Sequence, residues 1–172
     1  SRSGSRQRTE HRTSSMKIGI IGSGISGMMT AWMLGNKADE IVLFDKQQPG
    51  QESSWAGGGI LSPLYPWRYA DSVTRLASAS QAIYADIVRE IHEESGIDPE
   101  YVRSGMLIFS PEEEENSRDW AQRWSIPLET LDRDDVSELE PALAAPEDKA
   151  IWFPGVAQVR NPKLMKALYA IL

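Results

Sequence analysis

The stretch from Lys17 to Gly27 constrains the fold of this chain most, because an apolar run leads directly into a G-x-G-x-x-G pattern. The glycines of the pattern are Gly22, Gly24 and Gly27. In such a pattern the first glycine permits a tight strand-to-helix turn, the second lets the backbone approach a pyrophosphate, and the third lets the helix pack closely on the strand. The helix N-terminus then offers unpaired N–H groups and the positive end of a dipole. The stretch therefore predicts a strand, a tight turn and a phosphate-binding helix N-terminus.

A second apolar run, Glu40–Phe44, is followed by the carboxylate of Asp45, which lies 18 residues after Gly27. Between the two runs, apolar residues recur at helical spacing, and Gly35-Asn36 supplies a helix stop. A carboxylate at the tip of a second strand can accept hydrogen bonds from both hydroxyls of an adenosine ribose. The alternative is that Asp45 only ends a strand and caps a loop. A strand, the glycines, a helix, a second strand and an acid follow one another in the order and at the spacing of a dinucleotide-binding βαβ unit, so the pattern favours this unit.

The composition is that of a globular protein that can bury a core, with 41% hydrophobic and 25% charged residues among 172. Because the chain has no cysteine, disulfides and thiolate metal sites are excluded, and a reducing cytoplasm is the expected location. The two histidines, His11 and His92, cannot form a metal cluster or a convincing catalytic triad. We therefore predict no metal site. No stretch has the length of a membrane-spanning helix.

Charge is distributed unevenly along the chain. Residues 1–15 hold four arginines and one glutamate and so carry +3, which leaves −10 on the remainder because the whole chain carries −7. An acidic body argues against nucleic acid or an anionic membrane as partner. The Ser/Arg-rich residues 1–15 precede a plausible initiator at Met16 and predict a disordered leader or tag, with an Arg-rich transit peptide as the alternative.

The residues after Asp45 form a polar, glycine-bearing stretch that leads into three consecutive glycines, Gly57–Gly59, with apolar neighbours on both sides. A run of glycines is usually a flexible linker, but linkers are polar on both sides. The apolar neighbours instead favour a buried backbone pressed against something flat. The next residues, Pro63–Trp67, predict a stiff aromatic loop that either belongs to the core or walls a pocket.

The rest of the chain predicts helices alternating with short strands. Apolar residues at helical spacing indicate a long amphipathic helix at residues 71–94, with Asp71 or Ser72 as its cap and Gly96 as its end. Further expected elements are strands at 101–109 around Gly105, near 128–131, at 151–153 and at 156–159, a helical turn near 136–139, and a last helix at 163–172.

Ser110-Pro111-Glu112 predicts another helix start, with a cap, a first-turn proline and acids that match the helix dipole. This helix carries Trp120 and Trp124 on one face. We expect the glutamate run 112–115 to be its solvated N-terminus and not a metal site.

Four segments together resemble the D-amino-acid-oxidase superfamily of FAD-dependent enzymes, and within it the glycine oxidases of the thiamine-biosynthesis type. The segments are Ile18–Gly27, Ile41–Lys46, Ser53–Tyr69 and Gly155–Pro162. The resemblance spans essentially everything from Met16 to Leu172. Segment 53–69 is its specific part, because the dinucleotide pattern alone occurs in many NAD and FAD folds.

The resemblance implies contacts with FAD along the first third of the chain. Asp45 would bind the adenosine ribose, where the family more often has glutamate, and Lys46 would contact the adenosine side. The backbone at the triple glycine would lie against the flavin ring and the ribityl chain, where side chains would collide with the ring. The full set of expected cofactor-binding residues covers the turn, the strand tip, two hydroxyls and the glycine run: Gly22, Gly24, Ile25, Ser26, Gly27, Asp45, Lys46, Ser53, Ser54, Gly58, Gly59 and Ile60.

The resemblance also implies a reaction. An amine carbon of glycine, sarcosine or a small D-amino acid would be oxidised by hydride transfer to the flavin, and molecular oxygen would be the acceptor, giving an imine and hydrogen peroxide. A D-amino-acid dehydrogenase that passes electrons to a quinone is the alternative with the same fold. An NAD-dependent dehydrogenase fits less well, because nothing in a nicotinamide-binding fold requires segment 53–61.

The family's carboxylate-binding arginine has no counterpart among Arg68, Arg103 and Arg160, since in the family it belongs to the second half of the chain. We therefore name no catalytic residue from the sequence. It also leaves open a different class of protein, a non-catalytic fragment or one piece of a split assembly.

The expected fold class is α/β, with a Rossmann-like FAD-binding domain and the beginning of an α+β substrate domain. We expect the first part of the FAD-binding domain at 16–80, helical and substrate-domain elements at 81–155, and an incomplete return towards the FAD domain at 156–172. We expect such a chain to be truncated relative to the family. A second polypeptide that completes the fold, or a homo-oligomer, is therefore an expected partner.

Overall fold

The computed structural model describes residues 15–35, 37–144 and 147–172. Of the predicted leader, residues 1–14 lie outside the described residues. Two 3₁₀ turns, Pro66–Arg68 and Pro111–Glu113, accompany the regular elements. In chain order these elements are β1 (Lys17–Ile21), α1 (Ile25–Leu34), β2 (Glu40–Phe44), α2 (Ser53–Ala56), α3 (Asp71–Ser95), β3 (Met106–Ile108), α4 (Glu114–Trp124), β4 (Glu129–Asp132), α5 (Arg133–Leu139), β5 (Lys149–Phe153) and α6 (Asn161–Ile171).

β1 and β2 are parallel neighbours connected through α1, which confirms the predicted βαβ unit. Ile18 lies opposite Ile41, and Ile21 lies opposite Phe44. Alternate residues of each strand are half-buried, while the other face of the pair is open: Ile21 is 92% exposed and Phe44 is 56% exposed. Parallel sheets are normally covered on both faces. The β1–β2 pair therefore presents an uncovered apolar surface.

The second sheet is antiparallel and has the strand order β3-β5-β4. β5 is paired on both edges, with Trp152 opposite Leu107 of β3 and opposite Glu129 of β4. Ala150, Ile151 and Phe153 of β5 are buried, as expected for a central strand packed against a helix. The strands predicted near 128–131 and at 151–153 are confirmed within a residue or two at their ends.

Three helices build the larger core. Met28 of α1, Ile91 of α3 and Leu168 of α6 are each at most 1% exposed and belong to one apolar cluster. α3 has almost the predicted length and ends as predicted at Gly96, which is left-handed with φ +70°. Because α6 packs against both α1 and α3, the end of the described chain is fastened to the βαβ unit.

The aromatic loop lies in a second, smaller core. Trp67 stacks on Phe153 with ring centroids 6.0 Å apart, and Tyr65 meets Trp67 edge to face at 5.7 Å. Trp120 of α4 is buried in the same cluster, and its Nε1 donates to Thr74 Oγ1 of α3 at 3.2 Å. The smaller core thus joins the loop, α4 and the antiparallel sheet.

The strand predicted at 101–109 is shorter than expected. Gly105 has φ +69°, and a Cβ there would lie 1.7 Å from the ring of Trp152. The extended chain is therefore interrupted at Gly105, and regular pairing begins only at Met106.

Two other expectations are wrong, one about a strand and one about a helix cap. Residues 156–159 do not form a strand, because Gln158 makes one isolated pair with Ile60 and another with Val102, and neither pairing extends along the chain. At the start of α3, Ala70 occupies the N-cap position instead of Asp71 or Ser72.

Candidate dinucleotide-binding site

A cavity of about 470 Å³ opens where β1 and β2 end and α1 begins. Such positions at the carboxyl ends of parallel strands are the usual ligand sites of α/β folds. Six of the residues predicted from the sequence line it: Gly22, Gly24, Asp45, Lys46, Ser53 and Ser54. The described residues that line this cavity do not include Ile25, Ser26, Gly27 or the segment 58–60.

The glycines of the turn are required by its geometry. Gly22 has φ +97°, and its N–H donates to Phe44 O at 2.7 Å, which ties the end of β1 to the end of β2. A Cβ on Gly27 would lie 1.8 Å from Gly22 O, so any side chain there would push α1 away from the strand. A Cβ on Gly24 would project to 3.1 Å from Ser54 Oγ and would fill the cradle between the turn and α2.

Asp45 is held by a residue that the sequence analysis did not identify. The backbone N–H of Ser23 donates to Asp45 Oδ2 at 2.7 Å, and the Ser23 hydroxyl donates to the same oxygen at 2.5 Å. Ser23 is only 2% exposed, whereas the Asp45 side chain is exposed at the cavity. These bonds, together with the N–H of Gln47, lower the pKa of Asp45 to about 2. Asp45 is therefore an oriented anion at neutral pH.

The wall opposite the turn carries two hydroxyls and an ion pair. Ser54 Oγ accepts from the N–H of Ile25 at 3.0 Å, so its own proton can be donated into the cavity. Ser53 is exposed beside it, at the start of α2. Lys46 Nζ lies 3.1 Å from Glu52 Oε1 at the rim. The lining of the cavity therefore offers a charged acceptor at Asp45 and hydroxyl donors at Ser53 and Ser54.

Gly58, Gly59 and Ile60 lie on the segment that leaves α2. The segment is fastened to residues 157–159, because Val159 donates its N–H to Gly59 O at 2.9 Å and Leu61 donates to Ala157 O at 2.8 Å. Gly58 is exposed and Ile60 is 46% exposed, so part of this backbone is open to a ligand.

The reason for glycine at position 59 lies within the chain itself. Gly59 has φ +77°, and a Cβ there would lie 2.0 Å from Val159 O. Glycine is therefore required at position 59 by the chain's own packing, and contact of this backbone with a flavin ring stays a prediction. Gly58 differs, because an added Cβ would meet open space among the described residues.

The prediction that the whole glutamate run 112–115 is solvated is wrong for Glu113, which is 8% exposed. Glu113 Oε2 accepts from Trp67 Nε1 at 2.5 Å, and Oε1 accepts from Arg68 Nε at 2.8 Å and also from Arg68 Nη2. These bonds, those from Arg68 first, lower the pKa of Glu113. A run of four acids gives no sequence signal that one of them turns inward.

A larger cavity of about 650 Å³ lies at the other end of β2, where Glu40, Trp32 and Ile171 are among its lining residues. We do not assign the dinucleotide to it, because the glycine turn and Asp45 are not there. Within residues 15–35, 37–144 and 147–172, no group of three or more His, Cys, Asp or Glu side chains could hold a metal ion. No helix in the same ranges is long and apolar enough to cross a bilayer.

The glycine turn, the carboxylate at the tip of β2 and the cavity between them define a dinucleotide-binding α/β protein. The family model described as FAD dependent oxidoreductase matches residues 17–172, and the chain belongs to this family. The glycine oxidase of Pseudomonas putida is 40% identical over 158 residues, which are 92% of this chain and 43% of that protein. The glycine oxidase of Pseudomonas aeruginosa is 36% identical, also over 158 residues, which are 92% of this chain and 43% of that protein.

Solved structures agree with this assignment. The glycine oxidase from Geobacillus kaustophilus matches with a TM-score of 0.79 and 25% identity, over 91% of this chain and 44% of that one. The glycine oxidase from Bacillus cereus matches with a TM-score of 0.78 and 28% identity, over 89% of this chain and 42% of that one. The chain thus spans less than half the length of the relatives that it matches.

Proposed function

We propose that this chain supplies the adenosine- and pyrophosphate-binding part of a FAD-dependent amine oxidase that acts on glycine, sarcosine or small D-amino acids. The observation that carries the proposal is the Asp45 carboxylate, fixed by Ser23 at the edge of the cavity that begins at the glycine turn. The 40% identity to a glycine oxidase supports the choice of substrate class.

The described residues fit FAD. Asp45 would accept the ribose hydroxyls, and Lys46 would lie beside the adenosine. The glycine turn, with Ile25 and Ser26, leaves space for a pyrophosphate, which the N–H of Ser26 and the hydroxyls of Ser53 and Ser54 would bind, while the Ile25 N–H holds Ser54 in place. When bound, FAD supplies a ring that accepts a hydride from the amine carbon.

Gly58, Gly59 and Ile60 would present backbone to the flavin ring. Because their segment is fastened to residues 157–159, it would offer the ring a fixed surface and exclude water from it. We assign no catalytic residue to this chain, since none of Arg68, Arg103 and Arg160 corresponds to a carboxylate-binding arginine. The protein would act in the cytoplasm, in thiamine biosynthesis.

We further propose the division into an FAD-binding part at 16–80, substrate-domain elements at 81–155 and a return to the FAD part at 156–172. Residues matching the remainder of the relatives' length would complete the site, from the same protein, a second polypeptide or another copy. Because the carboxylate clamp would come from there, we expect no turnover by a verified 172-residue monomer.

The test begins with an absorption spectrum of the purified protein, followed by peroxide release from glycine, sarcosine and D-alanine in air with added FAD. A flavin spectrum and peroxide release by the completed protein support the proposal. Absence of flavin binding contradicts it, and robust turnover by the 172-residue monomer would show that the active site is misplaced. Dye reduction without peroxide would favour a D-amino acid dehydrogenase, the activity named for a relative from Agrobacterium fabrum that is 24% identical.

A further inference from the structure

Glu113 is a buried acid that binds Trp67 of the aromatic loop and the residue that follows it, Arg68. It belongs to the 3₁₀ turn Pro111–Glu113 before α4, and its carboxylate accepts from the indole of Trp67 and from two nitrogens of Arg68. A carboxylate with 8% exposure is stable only when its oxygens are satisfied in this way. The loop is therefore tied to α4 by charge-assisted hydrogen bonds.

The backbone of the aromatic loop is strained close to Glu113. Tyr65 has φ +52°, a left-handed conformation that costs roughly 1–2 kcal/mol for a residue other than glycine. It is stabilised by the same region, because the Tyr65 hydroxyl lies 3.2 Å from Ser110 Oγ and the guanidinium of Arg68 lies 4.2 Å from the centre of the Tyr65 ring. Strained residues of this kind persist only where their surroundings fix them, and they concentrate at functional sites.

The aromatic loop follows closely after residues 58–60, the segment that is proposed to contact the flavin. Residues 59–61 are fastened to residues 157–159 by backbone hydrogen bonds. Residues 65–68 are fastened to Ser110 and Glu113. Pro63 lies between these two attached stretches and Pro66 lies within the second, and both prolines restrict the backbone. The segment from 59 to 68 is thus a short, stiff connection that is fixed at both ends.

We propose that Glu113 is a positioning residue for the cofactor: by holding Trp67 and Arg68 it sets where the backbone of residues 58–60 meets the flavin ring. This inference rests on the proposed function. The competing role is purely structural, in which Glu113 only stabilises the aromatic core around Trp67 and Phe153. The two roles differ in what they do to the bound flavin of a folded protein.

The experiment compares Glu113→Gln with Glu114→Gln in the FAD-loaded protein that contains this chain. Glu114 is the matched control, because it is the next residue and pairs with Arg118 and Lys149 instead of Trp67 and Arg68. For Glu113→Gln we expect the visible absorption and circular dichroism of the bound flavin to change, and FAD binding to weaken by up to about ten-fold. Glu114→Gln should keep the parent's flavin spectrum and affinity.

A Glu113→Gln protein with an unchanged flavin spectrum and affinity overturns the inference, even if its melting temperature falls. If Glu113→Gln does not fold, Trp67→Phe replaces it, because Phe removes the N–H donor to Glu113 and keeps an aromatic ring against Phe153. The same spectral change in smaller amount supports the inference, and a parent-like spectrum overturns it. A parent protein that binds no FAD overturns the proposed function itself, which is a distinct result.

Discussion

Ser23 donates two hydrogen bonds to a single oxygen of Asp45, one from its backbone at 2.7 Å and one from its hydroxyl at 2.5 Å. The other Asp45 oxygen accepts from the N–H of Gln47 at 3.1 Å. Because a carboxylate has about four acceptor positions and three are used, about one position, on Oδ1, remains for a ligand. The carboxylate at the tip of β2 is therefore both oriented and charged before any cofactor arrives.

Ser23→Ala is expected to raise the pKa of Asp45 from about 2 towards 3.8, because the hydroxyl bond is the largest cause of the shift. The folded-state pKa lies below the usual value, so the associated stability is fully present above about pH 4 and is lost as the pH falls towards about 2. Carbon-13 NMR titration of the Asp45 carboxyl measures the change. Ser26→Ala, an exposed serine of α1, is the control, and an equal shift in both variants would contradict the assignment.

Asp45→Ala is expected to weaken FAD binding by about ten-fold or more, because the ribose hydroxyls lose a charged acceptor. Titration with FAD, followed by flavin absorbance, measures the loss. Glu40→Ala serves as the control, since Glu40 is at the opposite end of the same strand and pairs with Lys17. Equal affinity for parent and Asp45→Ala would remove Asp45 from the cofactor site.

Gly58→Val and Gly59→Val should behave differently. Position 58 has open space for a side chain among the described residues, so Gly58→Val should keep the parent's melting temperature and lose flavin because the side chain collides with the ring. Gly59→Val should destabilise the fold itself by about 2 kcal/mol or more, since its Cβ meets Val159 O in a left-handed backbone. Flavin content per chain after gel filtration, together with thermal melting, separates the two effects. Full flavin content in Gly58→Val would mean that this backbone does not touch the ring.

Gly105→Ala is expected to lower the free energy of unfolding by about 2 kcal/mol or more, because the methyl group would enter the ring of Trp152 and φ is +69°. Urea denaturation measures the change. Gly155→Ala is the control, because a Cβ there meets open space among the described residues. A loss of less than about 0.5 kcal/mol would show that the Trp152 ring moves aside at little cost.

The βαβ unit could be predicted because its signals are local: two apolar runs, three glycines and an acid at the strand tip. Ser23 could not, because its role depends on a partner that only the strand pairing brings within reach. Glu113 is one of four consecutive glutamates, and only the packing of Trp67 against α4 distinguishes it from its neighbours. The strand expected at 156–159 failed for a similar reason, since apolar content does not tell whether partner strands run alongside.

The shared core of Met28 and Leu168 has a consequence for synthesis on the ribosome. The first of these residues is made long before the second, so the part of the apolar side of α1 that α6 covers stays exposed until α6 has left the exit tunnel. At about 5–20 residues per second, the delay is on the order of ten seconds. The glycine turn does not share this delay, because its partners Phe44 and Asp45 are made early, so the exposed side of α1 is where a chaperone would protect the nascent chain.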